Sequence, residues 1–386
     1  MRYLLLVSAL LLLMLNPVKG NAQDASKIFR QVAEVLNKLS FLQYDSYREI
    51  NNYKDNFFAK NKGTSYFDFA SQAKGETLRL QLRSERSLQV YNGTEFFQLN
   101  ESDKTYDFGK RDLQSLENTS LLYNSIATLR FSLPLIAGDA GIPKSVKDTS
   151  IEGKSYHLLK FTLYKKSLAF PDGFSDFDVE VTRYYDLVVD KKTLLPYIII
   201  DRNSITKGQY HTKTIFTKID TKPVNPSPAS WFFSSYTGYS PRQGLKKREL
   251  VEVGASLPSW TLPVYKGDMT DSIDYSVLKG KKVLMEFWIK NCGYCMEAFP
   301  EMKTLQEKYG KQVDILSVNA YDDRKEVAFF YERDKPGYRM LYNGEKLAND
   351  LGIYAFPVVL ILDETGKVIY SHGGFNREQI EEILKE

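Results

Sequence analysis

Cysteine and histidine are nearly absent: two cysteines and three histidines in 386 residues. An exported protein held together by disulfides would scatter an even set of cysteines through its loops, whereas Cys292 and Cys295 stand only three positions apart. A bridge that short closes almost no loop and contributes little chain-entropy stabilisation, a term that grows with loop length. The pair is there for chemistry. With no other cysteine and only His372 nearby, Cys-x-x-Cys lacks the partners of a tetrahedral zinc site, so no metal is expected. Charge of one sign is scarce too, at +4 overall. No dense Lys/Arg run carries interleaved aromatics, which excludes a nucleic-acid partner. Beyond residue 15 no apolar run is long enough for a membrane span, so none is expected in the mature chain. The lack of any repeat of solenoid length and of low-complexity tracts removes array architectures.

Residues 1–22 read as a signal peptide. Arg2 gives the positive start, Tyr3 to Leu15 the apolar stretch, and Gly20-Asn21-Ala22 the small-residue cleavage pattern. The stretch falls short of the ~20 residues that cross a bilayer, so cleavage near Gln23 and export to the periplasm or cell envelope are expected. No cysteine near the cleavage site could carry a lipid anchor. A chain of 386 residues exceeds the roughly 100–200 typical of one domain, so at least two cores are expected.

In residues 23–222, Ile28, Val32, Val35, Leu36 and Leu39 recur at helical spacing, with Asp24 or Ser26 available as a cap. Leu78, Leu80 and Leu82 alternate with Arg79, Gln81 and Arg83, the period of a strand buried on one face. Asn92-Gly93 between Val90-Tyr91 and Phe96-Phe97 is a hairpin signal. A helical stretch is predicted from Asp112 to about Ser132, ending before Pro134. Strands are predicted at 156–164, 177–189 and 195–203, with a turn at 190–193. The expected fold of this part is α+β, an antiparallel sheet with helices. Residues 223–248 open with Pro223-Val224-Asn225-Pro226-Ser227-Pro228 and read as a linker. They also carry Trp231, Phe232, Phe233, Tyr236 and Tyr239, too much apolar area to leave in solvent. Either these rings dock on a domain surface or they complete the N-terminal core.

The chemistry lies in residues 249–386. From Lys281 an apolar strand runs into Cys-Gly-Tyr-Cys and then into a helical pattern. That context puts Cys292 at or just before the first helical turn, where free N–H groups and the helix dipole stabilise a thiolate. Cys292 is therefore the expected nucleophile and Cys295, one turn later, the resolving thiol. Glu286 interrupts Val283-Leu284-Met285 and Phe287-Trp288, a strand that reads as buried on both faces. A carboxylate there suits relay of the proton that Cys295 must lose.

Val253-Gly254-Ala255, Pro258-Ser259-Trp260-Thr261-Leu262, Leu278-Lys279-Gly280-Lys281, Glu286-Phe287-Trp288, the cysteine pair, Gly352-Ile353-Tyr354-Ala355-Phe356-Pro357 and Asp363-Glu364-Thr365-Gly366-Lys367 together resemble the TlpA/ResA branch of thioredoxin-like proteins. The resemblance implies an α/β thioredoxin-like fold and thiol-disulfide oxidoreductase activity without metal or organic cofactor, the redox group being a Cys292–Cys295 disulfide. It implies that Pro357 is a cis-proline facing the cysteines and that Glu286 is the buried carboxylate beneath the second one. Substrate contacts would come from Trp288, Asn291, Gly293, Tyr294 and Phe356. The implied partners are proteins bearing thiols or disulfides and a membrane electron-transfer partner. Two positions depart from the family: Ala298 stands where it often has glutamate, and Asn291 where it commonly has tryptophan. Gly293-Tyr294 resembles the dipeptide of periplasmic disulfide isomerases, which place threonine where this chain has Phe356, so isomerase is a minor alternative.

The opening helix, Val90-Tyr91-Asn92-Gly93 and the stretch Tyr185 to Pro196 resemble the curved-sheet domains of lipoprotein carriers of the LolA type. Such a domain implies an apolar concave face, and hence a second alternative: an envelope binding or carrier protein for a lipophilic or peptide ligand with an accessory redox domain. The leading expectation is reduction of protein disulfides outside the cytoplasm.

Overall fold

The computed structural model describes residues 22–70, 78–116, 119–176, 180–206, 208–242, 248–266, 269–278 and 280–385. The expected signal peptide up to residue 21 lies outside them, as do 177–179 of one predicted strand, 243–247 of the expected linker, and residue 279. The described residues form two compact units, 22–51 with 58–242 and 52–57 with 248–385.

The first unit opens with α1 (Ala22–Asn37), followed by β1 (Phe41–Asn52), β2 (Phe57–Asp68), β3 (Arg79–Ser84), β4 (Ser87–Tyr91), β5 (Glu95–Asn100) and β6 (Thr105–Lys110). After α2 (Ile126–Gly138) come β7 (Lys144–Ile151), β8 (Lys154–Tyr164), a small hairpin of β9 (Lys166–Ala169) and β10 (Gly173–Asp176), then β11 (Thr182–Asp190), β12 (Pro196–Asn203), β13 (Tyr210–Asp220) and the short β14 (Ser240–Pro241). Twelve strands make one sheet, in the order β14-β6-β5-β4-β3-β2-β1-β13-β12-β11-β8-β7. Asn92-Gly93 turns the chain between β4 and β5 as expected: Gly93 takes φ 105° and Asn92 Oδ1 accepts from the Thr94 and Glu95 amides.

One face of the sheet is covered by α1 and α2. Phe29, Val32, Ala33 and Leu36 of α1 recur every three or four residues and bury against Leu80, Leu82, Phe161 and Leu187, the arrangement that removes most apolar area from water. The predicted helix at 112–132 is corrected. A single 3-10 turn occupies Gln114–Leu116, and α2 starts only after the N-cap Ser125, whose Oγ accepts from the Thr128 amide at 2.9 Å. It then runs through Pro134 to Gly138. Proline removes one helical hydrogen bond, but Ile126, Leu129, Leu133 and Ile136 are fully buried, and that packing outweighs the break.

The opposite face is covered over β2, β4 and β5 by residues 228–242, so the stretch expected as linker is, up to Arg242, part of this unit. Trp231 is buried edge-on to Tyr66 under the Arg79 guanidinium, and Phe233 and Tyr236 pack on Phe97. Large rings beside a half-apolar sheet face gain more by burial than the segment loses in ordering. Trp231→Ala is expected to cost about 3 kcal/mol and to deprotect the amides of 228–242 in hydrogen exchange. Unchanged protection there would mean that the ring holds nothing.

The second unit contains β15 (Thr261–Lys266), β16 (Met269–Asp274), β17 (Lys282–Trp288), α3 (Gly293–Tyr309), β18 (Val313–Asn319), α4 (Arg324–Asp334), β19 (Arg339–Leu341), α5 (Glu345–Asp350), β20 (Val358–Leu362), β21 (Val368–Gly373) and α6 (Arg377–Lys385). The strand order is β16-β15-β19-β18-β17-β20-β21. Strands β17, β18 and β19 are parallel, while β20 and β21 return antiparallel. This βαβ unit followed by a hairpin and a closing helix is the expected thioredoxin-like order. Strand β17 lies between β18 and β20 and is buried on both faces. Val283, Met285 and Phe287 enter the core with Leu257, Trp260 and α5, and Leu284 and Trp288 enter the core with α3, α4 and α6.

Candidate active site

Strand β17 delivers the chain to the cysteines through Ile289, Lys290 and Asn291. The neighbouring β18–α4 loop fastens that connection. The Lys290 amide donates to Asp322 Oδ2 at 2.6 Å, and Asp322 is braced by Asn319 Nδ2 at 2.8 Å. Lys290 Nζ pairs with Glu326 at 2.7 Å. Asn291 then takes φ 66°, the left-handed region that asparagine tolerates better than most residues. This turn aims Cys292 at the start of α3.

Cys292 is the N-cap of α3, and its Sγ accepts from the Cys295 amide at 3.2 Å. The two cysteines form a disulfide with Cα atoms 5.2 Å apart. They are not equivalent: Cys292 is half-buried, whereas Cys295 is fully buried among Trp288, Phe299 and Met302. Only the first sulfur is open to a partner. Across from it, Phe356-Pro357 is a cis peptide, and the Phe356 carbonyl oxygen lies 3.4 Å from Cys292 Sγ. Pro357 is buried, and the half-buried Phe356 ring meets the Tyr321 ring edge-on at 5.7 Å. Asn291, Gly293 and Tyr294 are exposed beside the sulfur, Tyr294 by 67%.

Glu286 is wholly buried. Strand alternation sends it to the same face of β17 as Leu284 and Trp288, the face on which Cys295 packs. Ser317 Oγ donates to Glu286 Oε2 at 3.1 Å, while Oε1 is buried with no partner among the described residues. Burial penalises the charged form and pushes the carboxyl up to about 8, with the Ser317 hydrogen bond working against that rise.

Trp288, expected to touch substrate, is corrected. It is fully buried, edge-on to Phe299 at 4.9 Å and to Phe330 at 5.2 Å, because the pleat turns it inward beneath α3. Three residues that the sequence reading did not single out belong to the site: Ser317, Tyr321 and Asp322. Of these only Ser317 had a signal, as the polar residue within the apolar run Ile315-Leu316-Ser317-Val318. Among the described residues no cluster of His, Cys, Asp or Glu is arranged to hold a metal ion. A sulfur pair with one open member, an amide that donates to it, a backbone carbonyl facing it, and a buried carboxyl can carry out thiol–disulfide exchange.

Comparison with known proteins points the same way. The Redoxin family model matches residues 252–385. The thioredoxin-like protein YneN of Bacillus subtilis (strain 168) is 29% identical over 154 residues, which is 39% of this chain and 89% of that protein. The thiol-disulfide oxidoreductase ResA of Geobacillus thermodenitrificans is 30% identical over 124 residues, covering 32% of this chain and 70% of that protein. Among solved structures, the thioredoxin domain of a thiol-disulfide oxidoreductase from Bacteroides vulgatus is 20% identical and covers 35% of this chain and 99% of that one, with TM-score 0.32. Through residues 252–385, this chain belongs to the ResA family of thioredoxin-like thiol-disulfide oxidoreductases.

Proposed function

We propose that the chain is an extracytoplasmic reductase of protein disulfides. The observation that carries this reading is the juxtaposition of the half-buried Cys292 sulfur, capped by the Cys295 amide, with the backbone of Phe356-Pro357. In the dithiol form the Cys292 thiolate attacks a client disulfide. One client sulfur leaves as thiolate, and Cys292 is joined to the other. Cys295, after giving its proton to Glu286 in the ionised form of that carboxyl, attacks Cys292 Sγ and releases the second client sulfur. Two electrons pass to the client and the Cys292–Cys295 disulfide remains. A membrane electron-transfer partner returns the dithiol. Phe356 offers its backbone to an extended client segment, with Asn291, Gly293 and Tyr294 as the exposed rim. The chemistry needs no metal or organic cofactor.

Export rests on the signal-peptide pattern of residues 1–22, and no described helix is long and apolar enough to cross a membrane. The LolA-type resemblance of the first unit supports a carrier reading less well. The helix-bearing face of its sheet is filled by α1 and α2, so a lipophilic ligand would have to displace them. The deciding measurement is the reduction potential of the pair against a glutathione or dithiothreitol buffer. A value near that of thioredoxin, about −270 mV, fits a reductase, and one near about −120 mV would make the protein an oxidant and overturn the direction proposed here.

Glu286→Gln tests the relay. Resolution of the mixed disulfide should slow by about 10²-fold near neutral pH, measured by single-turnover quench, and an unchanged pH–rate profile would leave Glu286 a structural residue. Stability should shift as well. The folded carboxyl keeps its proton to about pH 8, whereas the unfolded one releases it near 4.5. Between these limits the folded state binds more protons. The stability this group contributes is therefore complete below about 4.5 and is lost as pH rises through about 8. Glu286→Gln should flatten that slope in denaturant melts.

A further inference from the structure

We propose that Ser317 is a positioning residue of the redox centre: by donating to Glu286 Oε2 it holds the carboxyl with Oε1 free to take the Cys295 proton, and it sets the pH at which that transfer occurs. The proposal rests on the relay reading of Glu286 and adds a second residue to it.

Ser317 stands directly opposite Glu286 in the parallel β17–β18 pair. Both are wholly buried. A hydroxyl in a dry core is costly unless paired, and its Oγ to Glu286 Oε2 contact of 3.1 Å is the pairing found. On the other side of β17 the register partner of Glu286 is Val359 of β20, whose side chain offers no donor. Leu284 and Trp288, on the same face of β17 as Glu286, cluster with Cys295, Met296 and Phe299 of α3 and Phe330 of α4. The titratable residues of that cluster are Cys295 and, on or around it, Cys292, Tyr265, Tyr309, Tyr331, Tyr338, Tyr342 and Tyr370. The Tyr338 hydroxyl is buried without a partner among the described residues, and its ionisation is suppressed by burial and then by the charge on Glu286. Arg333 and Asp334 act on Tyr338. Among the described residues, Ser317 is thus the donor that meets the carboxyl.

Its effect follows from which protonation state it favours. A hydroxyl donates more strongly to a carboxylate than to a neutral acid, so the bond opposes the burial that drives Glu286 upward. It also distinguishes the two oxygens: Oε2 is engaged, and Oε1 has no partner among the described residues. In the step itself the Cys295 S–H bond breaks and an Oε1–H bond forms. The Cys295 thiolate then attacks Cys292 Sγ, and the client thiolate leaves.

The test uses the full mature chain as wild type, Ser317→Ala, Ser317→Thr, Glu286→Gln, and Ser317→Ala combined with Glu286→Gln. The resolution rate is followed from about pH 6 to about pH 10, and the Glu286 side-chain carboxyl is titrated by carbon NMR in the dithiol state. Ser317→Ala should raise the titration midpoint by about one unit and move the rising limb of the rate profile with it, lowering the rate near neutral pH about tenfold. Ser317→Thr, which keeps the hydroxyl, should restore both. In the Glu286→Gln background, Ser317→Ala should have no further effect on the profile. A rate lowered by one factor at every pH, or lowered equally with and without Glu286, would make Ser317 merely structural and overturn the proposal. An unchanged profile for Glu286→Gln alone would instead overturn the relay reading, and the role of Ser317 with it.

Discussion

Cys292→Ser is expected to abolish reduction of insulin-type disulfides, a loss of several orders of magnitude, while Cys295→Ser accumulates a covalent complex with the client. The difference comes from placement. Cys292 caps α3, accepts from the Cys295 amide at 3.2 Å and is open beside Phe356. Its thiolate is thus stabilised by the helix terminus and reachable by a client. A serine hydroxyl there cannot attack, so no covalent step begins. Cys295 is sealed beneath Trp288 and Phe299, where a client sulfur cannot reach it, yet it is bonded to Cys292. Its loss leaves the first step intact and removes the second. Mass spectrometry of non-reduced mixtures separates the cases. Equal trapping by both variants would show that the roles are not divided as the burial divides them.

The second large effect concerns the sheet unit, where Asp201→Ala is expected to remove about 3–5 kcal/mol of stability. Asp201 is wholly buried on β12. Arg183 of β11 donates to it through Nε at 3.2 Å and also through Nη2, and Tyr123 Oη donates to its Oδ2 at 2.6 Å. Arg183 Nη2 reaches Tyr123 Oη at 2.6 Å as well, closing the triangle. Removing the carboxylate strands a mostly buried guanidinium with no counter-charge, and that desolvated cation is the source of the cost. Replacing Arg183 and Asp201 together by Met and Leu should cost far less, since no charge is then left unpaired. Urea melts of the full chain, with the first transition assigned by exchange of the β11 and β12 amides, provide the measurement. A loss below about 1 kcal/mol for Asp201→Ala would mean that the pair is solvated and unimportant.

Much of the redox site is legible in the residues because each signal there is local. An apolar strand running into Cys-x-x-Cys and a helix places one sulfur at a helix start whatever the rest of the fold does. A lone glutamate in an apolar strand marks a buried carboxyl. The helical period of α1 and the Asn92-Gly93 turn are equally short-range. Where the reading departs from the structure, a longer-range term decides. Pro134 looks like a stop and is not one, because α2 is buried along most of its length. Trp288 looks like a substrate contact and is core, since only the pleat and the packing of α3 determine which way it points. Strands β1 and β2 escape notice because they carry the half-buried Asp45 and Glu49 and the exposed Lys60 and Lys62, and Arg183 and Asp201 are charges that no strand pattern would place inside.

From residues alone, then, come the cysteine pair, the strand and helix that frame it, and the chemistry class, all properties of neighbours in sequence. Tertiary structure decides the rest: that Ser317, 31 positions from Glu286, is its donor, that Phe356 reaches Cys292 from 64 positions away, and that Trp231, Phe233, Tyr236 and Tyr239 close the back of a sheet rather than span a gap, while Phe232 stays exposed. The reason is physical. Periodicity reports which residues must leave water, but the partner each one meets depends on strand register and helix packing, which are set by the whole core.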